Sequence, residues 1–128
     1  MSHLSLKYGS TVMSADLVAR TLTASTLPEL PDPVEQVHRA LSNPIGAAPL
    51  GKIVAPGERV VIVTSDITRY TGSEVYLPIL VEQLNQCGIP DEDIAVIIAL
   101  GIHRKQTQTE HRKILGPLYG RVKVYDHE

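Results

Sequence analysis

A chain of 128 residues is long enough to close one apolar core, and its 43% hydrophobic content includes no Phe or Trp, so Leu, Ile, Val and Ala must build that core. Twelve Lys and Arg against 14 Asp and Glu leave a formal net charge of -2, and the sequence shows no dense basic patch of the kind a nucleic-acid partner requires. One cysteine excludes an intramolecular disulfide, and no apolar run reaches the ~18–20 residues that cross a bilayer, so no membrane partner is expected.

The opening "MSHLSLKYGS" lacks the apolar segment of a signal peptide, and a soluble cytoplasmic protein is the expectation. Residues 4–8 ("LSLKY") alternate apolar and polar and predict a short strand; 17–24 ("LVARTLTA") are read as a second. "STLPELPDP" (25–33) holds three prolines and reads as extended connection. A helix start follows: Asp32 caps, Pro33 suits the first helical position, and Glu35 completes a capping box. Val34, Val37, His38 and Leu41 share one face, with His38 expected as a partly buried packing residue. Asn43-Pro44 ends the helix, and 45–58 is a loop with a short helical piece near Leu50–Ile53.

From residue 59 the pattern becomes regular. "RVVIVT" (59–64) predicts a strand buried on both faces. A helix follows from about Ser73 to Cys87, on Val75, Leu77, Ile79, Leu80 and Leu84; Pro78 removes a donor, so the helix starts late or bends. Cys87 reads as a packing residue. "GIPDED" is a turn and "IAVIIAL" (94–100) a second strand buried on both faces. "TQTE" (107–110) matches a capping box, "HRKQTQTEHRK" (103–113) reads as a solvated helix face, and Gly116-Pro117 ends that helix. "RVKVY" (121–125) is a third strand, nearer a sheet edge. Strand, helix, strand, helix, strand predicts parallel units with right-handed crossovers. The expected fold is α/β: a Rossmann-like, mostly parallel sheet with helices on both faces, the N-terminal short strands at one edge, and residues 1–128 one domain.

Ligands of such sheets bind beyond the carboxyl ends of the strands. The strands end in Asp66-Ile67-Thr68-Arg69, in Gly101-Ile102-His103-Arg104 and in Asp126-His127-Glu128. Parallel strands lie about 4.8 Å apart, so Asp66, Arg69, His103 and His127 are candidates for one crevice. Each residue also has a structural alternative: Asp66 and Thr68 as a helix cap, Arg69 paired with Glu74, His103 as an ordinary loop residue. Arginine offers a fork for a carboxylate or phosphate, and histidine exchanges protons near neutrality. Residue types alone leave the reaction open. No metal site is expected: His103, His111 and His127 lack structural-zinc spacing, and His111, one turn inside its helix, need not face the strand tips.

"SDITRY", "IALGIHRKQTQTEH" and "YDHE" together resemble the N-terminal domain of the nickel-dependent lactate racemase (LarA) family, and the upstream layout from Asp32 is similar. Tyr70 departs from the proline usual in members, and Asp126 and Glu128 depart from their Asn-His-Asp order. The resemblance implies a racemase or epimerase of a small 2-hydroxy acid, with its active site between two domains. It implies a nickel-pincer nucleotide, held covalently by a lysine, that exchanges a hydride with C2 while histidines exchange the hydroxyl proton. By the same resemblance His103, Arg69 and Asp66 are the catalytic candidates, as proton carrier, carboxylate clamp and orienting group. Asp66, Thr68 and Arg69 are the cofactor-binding candidates. No lysine here matches the anchoring one, so the expectation is an N-terminal fragment, inactive and free of cofactor alone, that meets a missing downstream C-terminal domain. The alternative is a non-catalytic phosphate- or nucleotide-binding module, or an interaction module with an apolar docking surface.

Overall fold

A computed structural model describes residues 2–18, 20, 22–29 and 31–127. A hairpin comes first: β1 (Ser2–Tyr8) pairs antiparallel with β2 (Thr11–Leu17), Leu6 opposite Met13. Gly9, at φ +59, takes the first position of its two-residue loop, where a hairpin needs positive φ. The expected second strand at 17–24 is therefore displaced to 11–17, because pairing to β1 sets the register; residues 19 and 21 lie outside the described residues. The hairpin forms a sheet of its own rather than an edge of the main one.

Helix α1 (Pro33–Ser42) starts where expected, with the Asp32 carboxylate accepting the Val34 N–H at 2.9 Å, but the cap is Asp32 alone and not the expected capping box with Glu35. It packs on the later helix; its Val37 and Leu41 are only half-buried, and His38 is exposed rather than a packing residue. The remaining elements alternate: β3 (Val60–Ser65), α2 (Ser73–Gln86), β4 (Ile94–Ala99), α3 (Gln108–Leu115) and β5 (Lys123–Asp126). Helix α2 does not start late, and Pro78 lies inside it. Cys87 sits half-buried at its C-terminal end.

The three main strands run parallel in the order β3-β4-β5, with Ile62 beside Val96 and Val96 beside Val124. Both crossovers step the same way across the sheet, so their common right-handedness sends α2 and α3 to one face. There Ile94, Val96 and Ile98 pack with Leu77, Val81 and Leu84 of α2 and with Ile114 and Leu115 of α3. These side chains are at most 1% exposed, and this is where the core sits.

The α/β class and the parallel order match the sequence reading; the cover does not. On the other face Val61, Val63 and Tyr125 are 56%, 66% and 54% exposed, and Ile97 is only half-buried. Among the described residues, helices cover one side of the sheet, so β3 and β4 are not buried on both faces. Their apolar runs are composed for two-sided burial, but only one layer of helices is present to supply it. No helix of the described residues is long and apolar enough to cross a membrane.

Candidate functional site

Strand β3 stops at Ser65, and the next residue, Asp66, is 1% exposed. Its short side chain folds back over a 3-10 turn, Ile67–Arg69. Oδ1 of Asp66 accepts the Thr68 N–H at 3.0 Å and the Thr68 hydroxyl at 2.7 Å. The Ser65 hydroxyl donates to the Arg69 carbonyl at 2.9 Å, which closes the turn from the other side. The backbone under Arg69 is thus fixed, while its side chain is exposed and pairs with none of the described residues. The expected pair with Glu74 is not formed; Glu74 pairs instead with Lys113 at 3.2 Å.

Strand β4 ends just before the buried Leu100. Gly101, at φ +60, lets the chain double back so that the His103 N–H bonds the Leu100 carbonyl at 3.0 Å. That turn carries the His103 ring to the tip of β3, where Nδ1 lies 2.5 Å from Oδ2 of Asp66 and 3.3 Å from Oγ1 of Thr68. The Thr68 hydroxyl is committed to Asp66, and an ionised carboxylate only accepts, so Nδ1 carries the proton. Nε2 is left with its lone pair on a side chain 41% exposed. The Thr68 hydroxyl above all, with His103 adding to it, holds the Asp66 carboxyl below its usual range, against the opposing effect of burial. An ionised Asp66 accepts from Nδ1–H and so fixes the imidazole tautomer, with the Nε2 lone pair facing outward.

Strand β5 joins the same rim through Asp126. Its Oδ2 accepts the Gln106 N–H at 2.8 Å and its Oδ1 accepts the His111 Nε2–H at 2.9 Å. Oε1 of Gln106 in turn accepts the Ile67 N–H at 3.1 Å. His111 therefore does face the strand tips, because one turn into α3 its ring lies over the end of β5. Behind this lies the capping box of α3, where Arg104 grips Glu110 through two bonds of 2.9 Å. Those bonds, helped by the Thr107 N–H, hold the Glu110 carboxyl down to about 2.

Of the residues singled out in the sequence, Asp66, Thr68 and His103 touch one another, and Arg69 stands on the same turn. His127 contributes a backbone bond to Ile98 at 2.9 Å and an exposed ring, and Glu128 lies outside the described residues. No group of three or more His, Cys, Asp or Glu among the described residues can hold a metal ion. Gln106 and His111 were missed: neither stands at a strand end, and only the fold brings them to the rim. Asp126 was visible as a strand-end acid, the signal that also marks Asp66.

Three comparisons with known proteins bear on this arrangement. The family model described as the lactate racemase N-terminal domain matches residues 7–128. The chain is 37% identical over 76 residues to a lactate racemase of Lactiplantibacillus plantarum, covering 59% of this chain and 18% of that protein. It is 28% identical over 123 residues to a lactate racemase of Thermoanaerobacterium thermosaccharolyticum, covering 91% of this chain and 28% of the other. The structure of the lactate racemase apoprotein from Thermoanaerobacterium thermosaccharolyticum superposes with a TM-score of 0.74 at 28% identity, over 99% of this chain and 30% of that one. The chain thus spans less than a third of the length of each of these relatives. With the match running over nearly its whole length, the chain belongs to the lactate racemase N-terminal domain family.

Proposed function

We propose that this chain is the N-terminal part of a lactate racemase-type isomerase that inverts a small 2-hydroxy acid at C2, working in the cytoplasm. The observation that carries it is the Asp66–His103 pair, 2.5 Å apart at Nδ1, which leaves Nε2 as an oriented, exposed base above a turn that presents Arg69. In this role Nε2 of His103 takes the substrate's hydroxyl proton and returns it. Asp66 is buried with both oxygens engaged, so it orients His103 rather than touching substrate. Arg69 offers its guanidinium fork to the substrate carboxylate or to a cofactor phosphate, beside the Thr68 hydroxyl.

The cofactor we propose for the complete enzyme is a nickel-pincer nucleotide, which when bound supplies the hydride acceptor. The described residues fit its anionic end through the Arg69 guanidinium, and not its metal, for which they contain no ligand group. The metal ligands and the anchoring lysine would then come from chain outside these 128 residues. The uncovered sheet face of Val61, Val63 and Tyr125 supports the same view, since it fits docking against the rest of a lactate racemase-type protein.

The test is His103→Ala in the full-length protein, following interconversion of D- and L-lactate by chiral chromatography with folding checked by circular dichroism. Loss of a general base lowers the rate by about 10²–10⁴-fold. Undiminished interconversion in a folded variant refutes the assignment of His103.

A further inference from the structure

The loop that carries His103 is irregular and exposed from Gly101 to Lys105, yet the ring must hold one position against Asp66. The Leu100–His103 turn fixes its beginning. Its end is fixed by Gln106, whose three polar groups reach three places. The N–H donates to Asp126 Oδ2 at 2.8 Å, Oε1 accepts from the Ile67 N–H at 3.1 Å, and Nε2 donates to the Arg104 carbonyl at 3.3 Å. Gln106 follows His103 by three residues, and Ile67 follows Asp66 by one. The Gln106 side chain therefore spans the same two loops as the Asp66–His103 pair, parallel to it and one step away. Asp126, only 9% exposed, clamps the Gln106 backbone from β5 and is itself held by His111, 19% exposed.

We infer that Asp126 and Gln106 are positioning residues that lock the His103 loop to the Asp66–Arg69 turn, so that the chain His111–Asp126–Gln106–Ile67 sets where Nε2 of His103 points. This rests on the proposed role of His103 as proton carrier. Neither residue touches the imidazole or the space in front of it. Removing the Asp126 carboxylate leaves the Gln106 N–H without an acceptor and frees the end of the loop from β5. A reacting group displaced by about 1 Å loses on the order of 10²-fold in rate. Asparagine at 126 keeps an oxygen for the Gln106 N–H, and its amide can donate to His111 once that ring moves its proton to Nδ1. Asp126→Asn should therefore restore what Asp126→Ala loses.

The experiment measures kcat and KM for lactate interconversion in the full-length protein. The variants are Asp126→Ala, Asp126→Asn, Gln106→Ala and His103→Ala, with Asp91→Ala as a control. Asp91 pairs with Arg121 at 3.0 Å near the opposite ends of the strands, so its loss perturbs the sheet away from the rim. One-dimensional proton NMR follows the downfield imidazole N–H of His103 in each folded variant. Asp126→Ala and Gln106→Ala are expected to lower kcat by roughly 10–10²-fold, with KM within about threefold, and to shift or broaden that proton signal. Asp126→Asn should return kcat to within about threefold of the parent, and Asp91→Ala should leave kcat and the signal unchanged. Where Asp126→Ala does not fold, Gln106→Ala, which keeps the Asp126–His111 pair, decides the question. Full kcat in folded Gln106→Ala, or Asp126→Asn as slow as Asp126→Ala, overturns the inference while an inactive His103→Ala leaves the proton-carrier role standing. An active His103→Ala overturns both.

Discussion

Replacing Asp66 with Asn tests the site at the atom on which its chemistry depends. Asp66 makes three contacts through its carboxylate: the Thr68 N–H at 3.0 Å, the Thr68 hydroxyl at 2.7 Å and His103 Nδ1 at 2.5 Å. Asparagine keeps the first two through its oxygen, so the 3-10 turn retains its cap. The third inverts, because an amide nitrogen now faces Nδ1, and two donors cannot share that contact. The ring answers by moving its proton to Nε2, which leaves Nδ1 to accept from the amide. Nε2 then carries a hydrogen where it should present a lone pair. The base is lost in the parent's working tautomer without being removed, so kcat should fall by about 10²–10⁴-fold. KM should change little, since Arg69 and its turn are undisturbed. The assay is D/L-lactate interconversion in the full-length protein, with folding followed by circular dichroism. Interconversion within about threefold of the parent, in a folded Asp66→Asn protein, would refute the orienting role of Asp66.

The other predictions concern the scaffold. Gly101→Ala meets no atom within 4 Å, so its only cost is backbone strain at φ +60; thermal denaturation should show a loss of about 1–2 kcal/mol, and kcat should fall with it because this turn carries His103. Leu77→Ala, at a side chain 0% exposed beneath the sheet, should destabilise by about 2–5 kcal/mol in urea unfolding and leave the kcat of the folded fraction unchanged. Glu110→Gln probes pH. A carboxyl lowered from 4.5 to about 2 in the folded state contributes stability that is fully present above the unfolded value and lost as pH falls toward 2. The difference in melting temperature between parent and Glu110→Gln should therefore be constant above about pH 5 and shrink as pH falls through about 2; a gap that stays at its neutral-pH size down to that range counts against the Arg104–Glu110 contact as its source.

How much of this was legible in the sequence divides by the range of the interactions involved. Helix starts depend on a few neighbouring residues, and Asp32 with Pro33 and Thr107 with Glu110 gave both away. The parallel order followed from alternating elements, and with it came the expectation that Asp66 and His103 meet at strand tips. Local signals stop there. The hairpin was misjudged because its second strand is chosen by pairing with β1, which "LVARTLTA" does not reveal. Gln106 was read only as part of the solvated run 103–113, since what makes it a bridge is Ile67, 39 residues away, and Asp126, 20 residues away. His38 was read by helical periodicity as inward-facing, but periodicity assigns a face without saying whether anything lies against it.

The same distinction explains the one large disagreement over burial. "RVVIVT" and "IAVIIAL" lack the alternation of a half-solvated strand, so their composition reports two covered faces. The structure covers one, leaving Val61 and Val63 more than half exposed in the same sheet whose other side holds Val96 and Ile98 at 0%. The hairpin repeats the pattern in miniature: Leu4, Leu6, Met13 and Leu17 lie together on one face and all are exposed. Solvent does not favour such faces, since each exposed apolar square ångström costs about 25 cal/mol relative to burial. Two apolar faces are thus left uncovered among the described residues of a chain that spans less than a third of its relatives' length. The rim of strand tips has the complementary character. Asp66 is buried and satisfied from within these residues alone, so the Asp66–His103 pair is preassembled, while Nε2 of His103 and the Arg69 side chain stand open to solvent.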